Sequence, residues 1–263
     1  TTESRQVLQE LWALCTPYLS ATVKPHVRSC VAQAWAVILR RARGEVAQDL
    51  IHIMVERLEE VGVRGIASTL SESMKGATQL LHSRATQLYN LLLQKLLATS
   101  DVGPSSSLLS CMVFLTTSLI HHTSATAMAP IHNLVIAAMK ASITEKAAPS
   151  ALTLAQSTAV LRLASTLVGV RKGMRVPPAV SGSGQPSALQ QYMQALVAWL
   201  PTIESSDRAW RIEYLRALTA CLVGGKLGDW LSPGVKLIDG VWESLPLDEK
   251  FSWTSALVRI KWK

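Results

Sequence analysis

Apolar residues recur along this chain at intervals of three and four, with polar residues between them. That spacing lays a stripe along one side of an α-helix, whereas sustained alternation, the mark of a half-buried strand, is missing from the sequence. The clearest stretch runs from Lys24 to Arg43. Pro25 opens it where a first helical turn tolerates a missing N–H. Val27, Cys30, Val31, Ala34, Trp35, Ile38 and Leu39 then share one stripe, and Arg28, Gln33, Arg40 and Arg43 fall opposite.

The same rhythm predicts a helix over 3–15, with Val7, Leu8, Leu11, Trp12 and Cys15 inward and Thr16-Pro17 as its stop. Helices follow over 45–60, closed by Gly62, and over 63–75, closed by Gly76. The next is capped by Ser83 and carries Ala85, Leu88, Leu92 and Leu96. Beyond a polar connector at 100–107, helices are expected over 106–122, over 130–142 with Pro130 in the first turn, and over 150–169. Leu189, Tyr192, Met193, Leu196 and Leu200 mark another, stopped by Pro201, and Ile212, Leu215, Leu218 and Leu222 the next. Two short helices around Val235–Trp242 and Trp253–Ile260 close the chain.

Only 170–187 breaks the pattern, because Pro177-Pro178 and Gly182-Ser183-Gly184 cannot continue a helix. The reading is therefore all-α, with about twelve helices in pairs of about 40 residues, the period of helical-repeat solenoids. Residues 1–169 form helical repeats, 170–187 a flexible loop or insertion, and 188–263 further repeats of the same solenoid.

Composition narrows the class. In 263 residues, 49% hydrophobic and 17% charged, there is apolar material for a sizeable core. Leu108 to Ile120 is the most membrane-like run, but it is short for a bilayer and interrupted by Ser110, Thr116, Thr117 and Ser118, so it reads as a buried helix and no membrane partner is expected. Cys15, Cys30, Cys111 and Cys221 stand far apart in apolar helical contexts, which predicts buried free thiols rather than a disulfide framework or zinc knuckle. The chain opens Thr1-Thr2-Glu3, without Met or a signal peptide, as a piece of a longer protein would.

The net charge of +8 suggests an anionic neighbour, nucleic acid being the usual one. Three small basic groups stand out. Arg40, Arg41 and Arg43 sit at a helix end, where cations also complement the dipole. Arg171, Lys172 and Arg175 sit in the irregular segment, free to meet phosphate, and Arg259, Lys261 and Lys263 close the chain.

Enzymatic chemistry finds no footing. His121, His122 and His132 are the nearest approach to a metal cluster, but adjacent histidines diverge by about 100° on a helix and no carboxylate or cysteine joins them. Gly182-Ser183-Gly184 follows no strand and lacks the lysine of a phosphate loop. The acidic pairs Glu59-Glu60 and Asp248-Glu249 read as solvated or capping charges. The expectation is no catalysis, no cofactor, no metal and no small-molecule substrate.

Several segments within 16–97 carry a resemblance: Lys24-Pro25-His26-Val27-Arg28, Ala34-Trp35-Ala36, Arg40-Arg41-Ala42-Arg43, and Glu72-Ser73-Met74-Lys75-Gly76 followed by Leu81-His82-Ser83-Arg84. Pro-x-Val-Arg with small residues after it is a general HEAT-repeat signal. The Lys-Gly and His-Ser-Arg continuation resembles the large HEAT-repeat scaffold of the small-subunit processome, the down-regulated-in-metastasis family. One departure is Lys24, where many HEAT repeats have an Asp that pairs with the Arg of the next repeat. The resemblance implies a HEAT-like α-solenoid of antiparallel helix pairs in the nucleus and nucleolus. It implies a scaffold in small-subunit biogenesis that holds ribosome-assembly proteins and pre-ribosomal or small nucleolar RNA. Its basic groups, Arg40, Arg41, Arg43, Arg171, Lys172 and Arg175, are the expected phosphate contacts. The competing reading is a HEAT-repeat nuclear transport receptor or another protein-interaction adaptor, which the basic charge disfavours.

Overall fold

The computed structural model describes residues 2–99, 102–144, 152–169, 186–199, 206–224, 239, 242, 243 and 245–258. Among the described residues every regular element is helical: α1 (Thr2–Leu19), α2 (Pro25–Arg41), α3 (Gly44–Arg57), α4 (Gly62–Leu81), α5 (Ala85–Ala98), α6 (Val102–His122), α7 (Ala125–Thr144), α8 (Leu154–Val168), α9 (Ala188–Trp199), α10 (Arg208–Gly224) and α11 (Leu247–Val258). Short 3-10 turns at Leu58–Val61 and His82–Arg84 lead into α4 and α5. The all-α reading stands. The chain divides into two compact units, Thr1–His122 and Thr123–Lys263.

In the first unit several helices pack on the next but one as well as on a neighbour. The even helices form one row, α2 on α4 and α4 on α6, while α1 packs on α3, and α1–α2 and α5–α6 are neighbouring pairs. Several hydrogen bonds between elements of this unit join residues 32 to 48 positions apart, such as Arg84 with His52 and Arg57 with Gln9. The second unit repeats the alternation, with α7 on α9 and α8 on α10, and its core gathers aromatic rings. Trp210 stacks on Tyr214 at 5.1 Å and donates its Nε1–H to Ser157 Oγ at 3.0 Å.

Several boundaries differ from expectation. Pro17 lies inside α1, which runs on to Leu19, and Pro130 lies inside α7, whose start is capped by Ser124 six residues before the proline. One missing backbone bond does not end a helix whose apolar face is held by neighbours. Gly76 precedes a kink at Ala77 rather than a stop, and α4 continues to Leu81. Ser83 does not cap α5; its hydroxyl turns to Leu80 O and Gln48 Oε1. Gly62 has the positive φ expected of it (φ +65°, ψ 174°), but in an extended rather than a left-handed helical conformation. On α8 the sequence held an unread signal, a capping box in which Thr153 and Gln156 satisfy each other's backbone N–H.

The run at 108–120 belongs to a longer helix than expected, and Gly103–His122 is long and apolar enough to cross a membrane. Here its stripe of Leu108, Met112, Leu115 and Leu119 is buried on the side that meets α4 and α5. Val7, placed on the inward side of α1 by spacing, is instead 62% exposed.

Candidate functional site

The largest departure from the sequence reading concerns Arg28. The spacing put it on the solvent face of α2, yet it is only 7% exposed. The buried positions of α2 are Arg28, Ala32, Trp35, Ala36 and Leu39, a stripe turned by about one residue from the purely apolar one. Val27, Val31 and Ile38 are half-buried, and Cys30 and Ala34 are exposed. The reason is that α2 packs on both α1 and α4, so its buried face follows the neighbours rather than the apolar residues alone.

Arg28 is the fourth residue of α2 and reaches back over the turn that precedes the helix. Nη1 donates to Val23 O at 3.0 Å and Ser20 O at 3.3 Å, and Nε donates to Ser68 Oγ of α4 at 3.2 Å. The guanidinium thus supplies donors to carbonyls just past the end of α1, where partial negative charge accumulates. On the same turn, Gly65 of α4 lies so close to Leu19 O that a Cβ there would collide with it. No carboxylate pairs with Arg28 among the described residues.

A groove of about 810 Å³ opens over this arginine, walled by α2, α4 and α6. Its lining includes Arg28, Arg64, Lys75 and Glu72, a series of serines that includes Ser29, Ser68, Ser71 and Ser107, and the ring of Phe114, which is 50% exposed. Lys75 Nζ meets Glu72 at 2.7 Å. Cations and hydroxyls are set among apolar side chains such as Met74 and Phe114, which suits an anionic ligand that also offers apolar surface.

The second unit holds a counterpart. Arg211 is the fourth residue of α10 and donates to Ser206 O at 2.6 Å, five residues upstream, as Arg28 does to Val23 O. Its Nε and Nη2 also hold both oxygens of Glu249 on α11, each at 2.7 Å. Those bonds raise the Arg211 pKa above its ordinary value. Glu249, read from the sequence as a capping or solvated charge, is a buried ion-pair partner.

The residues behind the resemblance knit α4 to its neighbours. His82 Nε2 lies 3.0 Å from Ser118 Oγ of α6, and Arg84 Nη2 lies 3.0 Å from His52 Nδ1 of α3. Gly76 lies beneath the aliphatic stem of Arg40, where a Cβ would collide with Arg40 Cδ. The resemblance motif is therefore, in this chain, a set of cross-helix contacts.

Of the predicted phosphate contacts, Arg40, Arg41 and Arg43 are exposed around the α2–α3 turn and none pairs with a carboxylate among the described residues. Arg171, Lys172 and Arg175, and Arg259, Lys261 and Lys263, lie outside the described residues, as does most of 170–187. The histidines do not converge. His121 and His122 are exposed, while His132 is buried in the second unit with Nδ1 at 3.1 Å from Tyr192 Oη. Burial lowers the His132 pKa to about 4. His82 is lowered too, by burial first and then by His122, whose ring lies 5.7 Å away. No group of three metal-ligating side chains forms among the described residues. All four cysteines are free, but only Cys111 and Cys221 are buried, which pushes their thiols up to about 11 and 12; Cys30 is exposed and Cys15 half-buried.

No family model, curated protein or solved structure matches the chain.

Proposed function

We propose that this chain is a segment of a non-enzymatic α-solenoid scaffold acting in small ribosomal subunit biogenesis, where it holds assembly proteins and pre-ribosomal RNA in the nucleolus. The observation that carries the scaffold reading is the alternating packing of the first unit, α2 on α4 on α6 and α1 on α3, with bonds such as Arg28–Ser68 and His82–Ser118 joining residues 40 and 36 positions apart. A stack of HEAT-like helix pairs has that period, and each pair buries its apolar face only against the next. The step to ribosome assembly rests on the resemblance within 16–97. Its His82, Ser83, Arg84 and Gly76 make contacts with other helices of the stack.

RNA contact is assigned to Arg40, Arg41 and Arg43, three exposed cations at one turn. Such contacts position a backbone without reading its sequence. Replacing all three with Gln leaves the fold intact and flattens the salt dependence of RNA binding by up to about three units of slope. Sequencing RNA crosslinked to the intact parent protein tests the whole reading. Enrichment of pre-ribosomal RNA supports it, and crosslinks no different from background contradict it. Binding to a GTP-loaded small GTPase would favour the transport-receptor alternative.

A further inference from the structure

We propose that the groove across α2, α4 and α6 binds an acidic segment of a partner protein, with one carboxylate side chain seated against the Arg28 guanidinium. The inference takes from the scaffold reading only that the ligand belongs to a macromolecule.

A buried cation is costly unless a partner compensates it. Arg28 has hydroxyl and carbonyl acceptors at Nε and Nη1 but no carboxylate partner among the described residues, and its Nη2 group, which is not sealed from solvent, takes no acceptor from them. The second unit shows what completes this arrangement. There an arginine at the same helical position, with the same backward bond to a carbonyl five residues upstream, is closed by the two oxygens of Glu249. At Arg28 the place of that glutamate is taken by Ser68, which accepts one bond and carries no charge. The chain therefore supplies the acid in one unit and leaves it to be supplied in the other, beneath an open groove of about 810 Å³.

The walls favour a peptide over RNA. Arg28 is 93% buried between helices, so a slender carboxylate side chain reaches it where a sugar–phosphate backbone does not. Serine hydroxyls such as Ser29 and Ser71 can donate to peptide carbonyls, and Phe114 gives one aromatic contact rather than the series on which bases stack. The lining carries Arg28, Arg64 and Lys75 against one carboxylate, Glu72, which pairs with Lys75, so its formal charge is positive and favours an acidic segment.

The test is anisotropy of a fluorescein-labelled decapeptide of alternating Glu and Ser, titrated with the whole chain at low salt. Arg28→Ala is a poor probe because Arg28 also holds the α1–α2 turn. Ser68→Asp is better, since it places an acid within reach of Nε and imitates Glu249. The expected result is a higher melting temperature together with peptide binding weakened about tenfold or more. Ser68→Ala retains binding, and Arg40, Arg41 and Arg43 changed together to Gln leave peptide affinity unchanged. Equal peptide affinity in the wild type and Ser68→Asp overturns the proposal. So does a decauridylate RNA that competes for the groove with the same sensitivity to Ser68→Asp. Either failure leaves the RNA-crosslinking test of the scaffold reading standing.

Discussion

Arg28 in the first unit and Arg211 in the second occupy the same place in their helices and make the same backward bond, yet one meets a serine and the other a glutamate. Both arginines fasten the turn before the helix to the helix itself. The difference lies in the residue offered by the facing helix, Ser68 on α4, 40 positions on from Arg28, and Glu249 on α11, 38 on from Arg211. With Glu249 the node is electrically closed and serves stability alone. With Ser68 it remains a half-satisfied cation under a groove. A repeated structural device has become, in one unit, a place where an outside group can act.

The strongest way to press this comparison is on the cores beneath the two nodes. Trp35 is fully buried, and Trp35→Ala is expected to cost about 4 kcal/mol in denaturant unfolding, as large core truncations do. Trp35 Nε1 has no acceptor among the described residues, whereas Trp210 Nε1 has Ser157. Trp210→Phe should therefore cost more than Trp35→Phe, and equal costs would mean that the indole bond to Ser157 contributes nothing.

Next in size is the closed node itself. Glu249→Ala strands a largely buried guanidinium and is expected to destabilise by about 3 kcal/mol. A loss no greater than that of an exposed pair such as Arg208–Asp248 would show that the second node is not closed in solution.

A pH series separates the units by their histidines. His132 has a folded pKa of about 4 against 6.5 in an unfolded chain. The unfolded state therefore takes up the proton first as pH falls. Stability is whole above pH 6.5, declines between 6.5 and 4, and loses nothing further from this group below 4. Over that window the loss is about 3 kcal/mol, and His132→Gln should abolish it. An unchanged midpoint between pH 7 and pH 4.5 in the wild type would mean that His132 is solvated.

The smallest effect is expected at the open node. Ser68→Ala removes one of three bonds to Arg28 and should cost about 1 kcal/mol or less, well below Glu249→Ala. Reversal of that order would remove the distinction between the nodes.

Much of this fold was legible in the sequence. Apolar spacing found the helices, because among the described residues every regular element is helical and one period governs nearly every buried face. It missed where packing overrides local chemistry. Arg28 was placed in solvent because a charged residue breaks an apolar stripe, although a guanidinium with carbonyl acceptors can be buried. Pro17 and Pro130 read locally as helix punctuation, and tertiary contacts carry α1 and α7 past them. The clue to the groove was visible but ambiguous: Arg at the fourth position after a helix start recurs at 28 and 211, and only the fold shows which residue faces each.

Hydrogen exchange, followed by mass spectrometry with and without the acidic decapeptide, addresses the central contrast most directly. The account predicts slower exchange on peptide binding at 20–28 and 64–75, where the open node and its groove lie, and no change at 206–211. Unchanged exchange at 20–28, or equal slowing at both nodes, would contradict it.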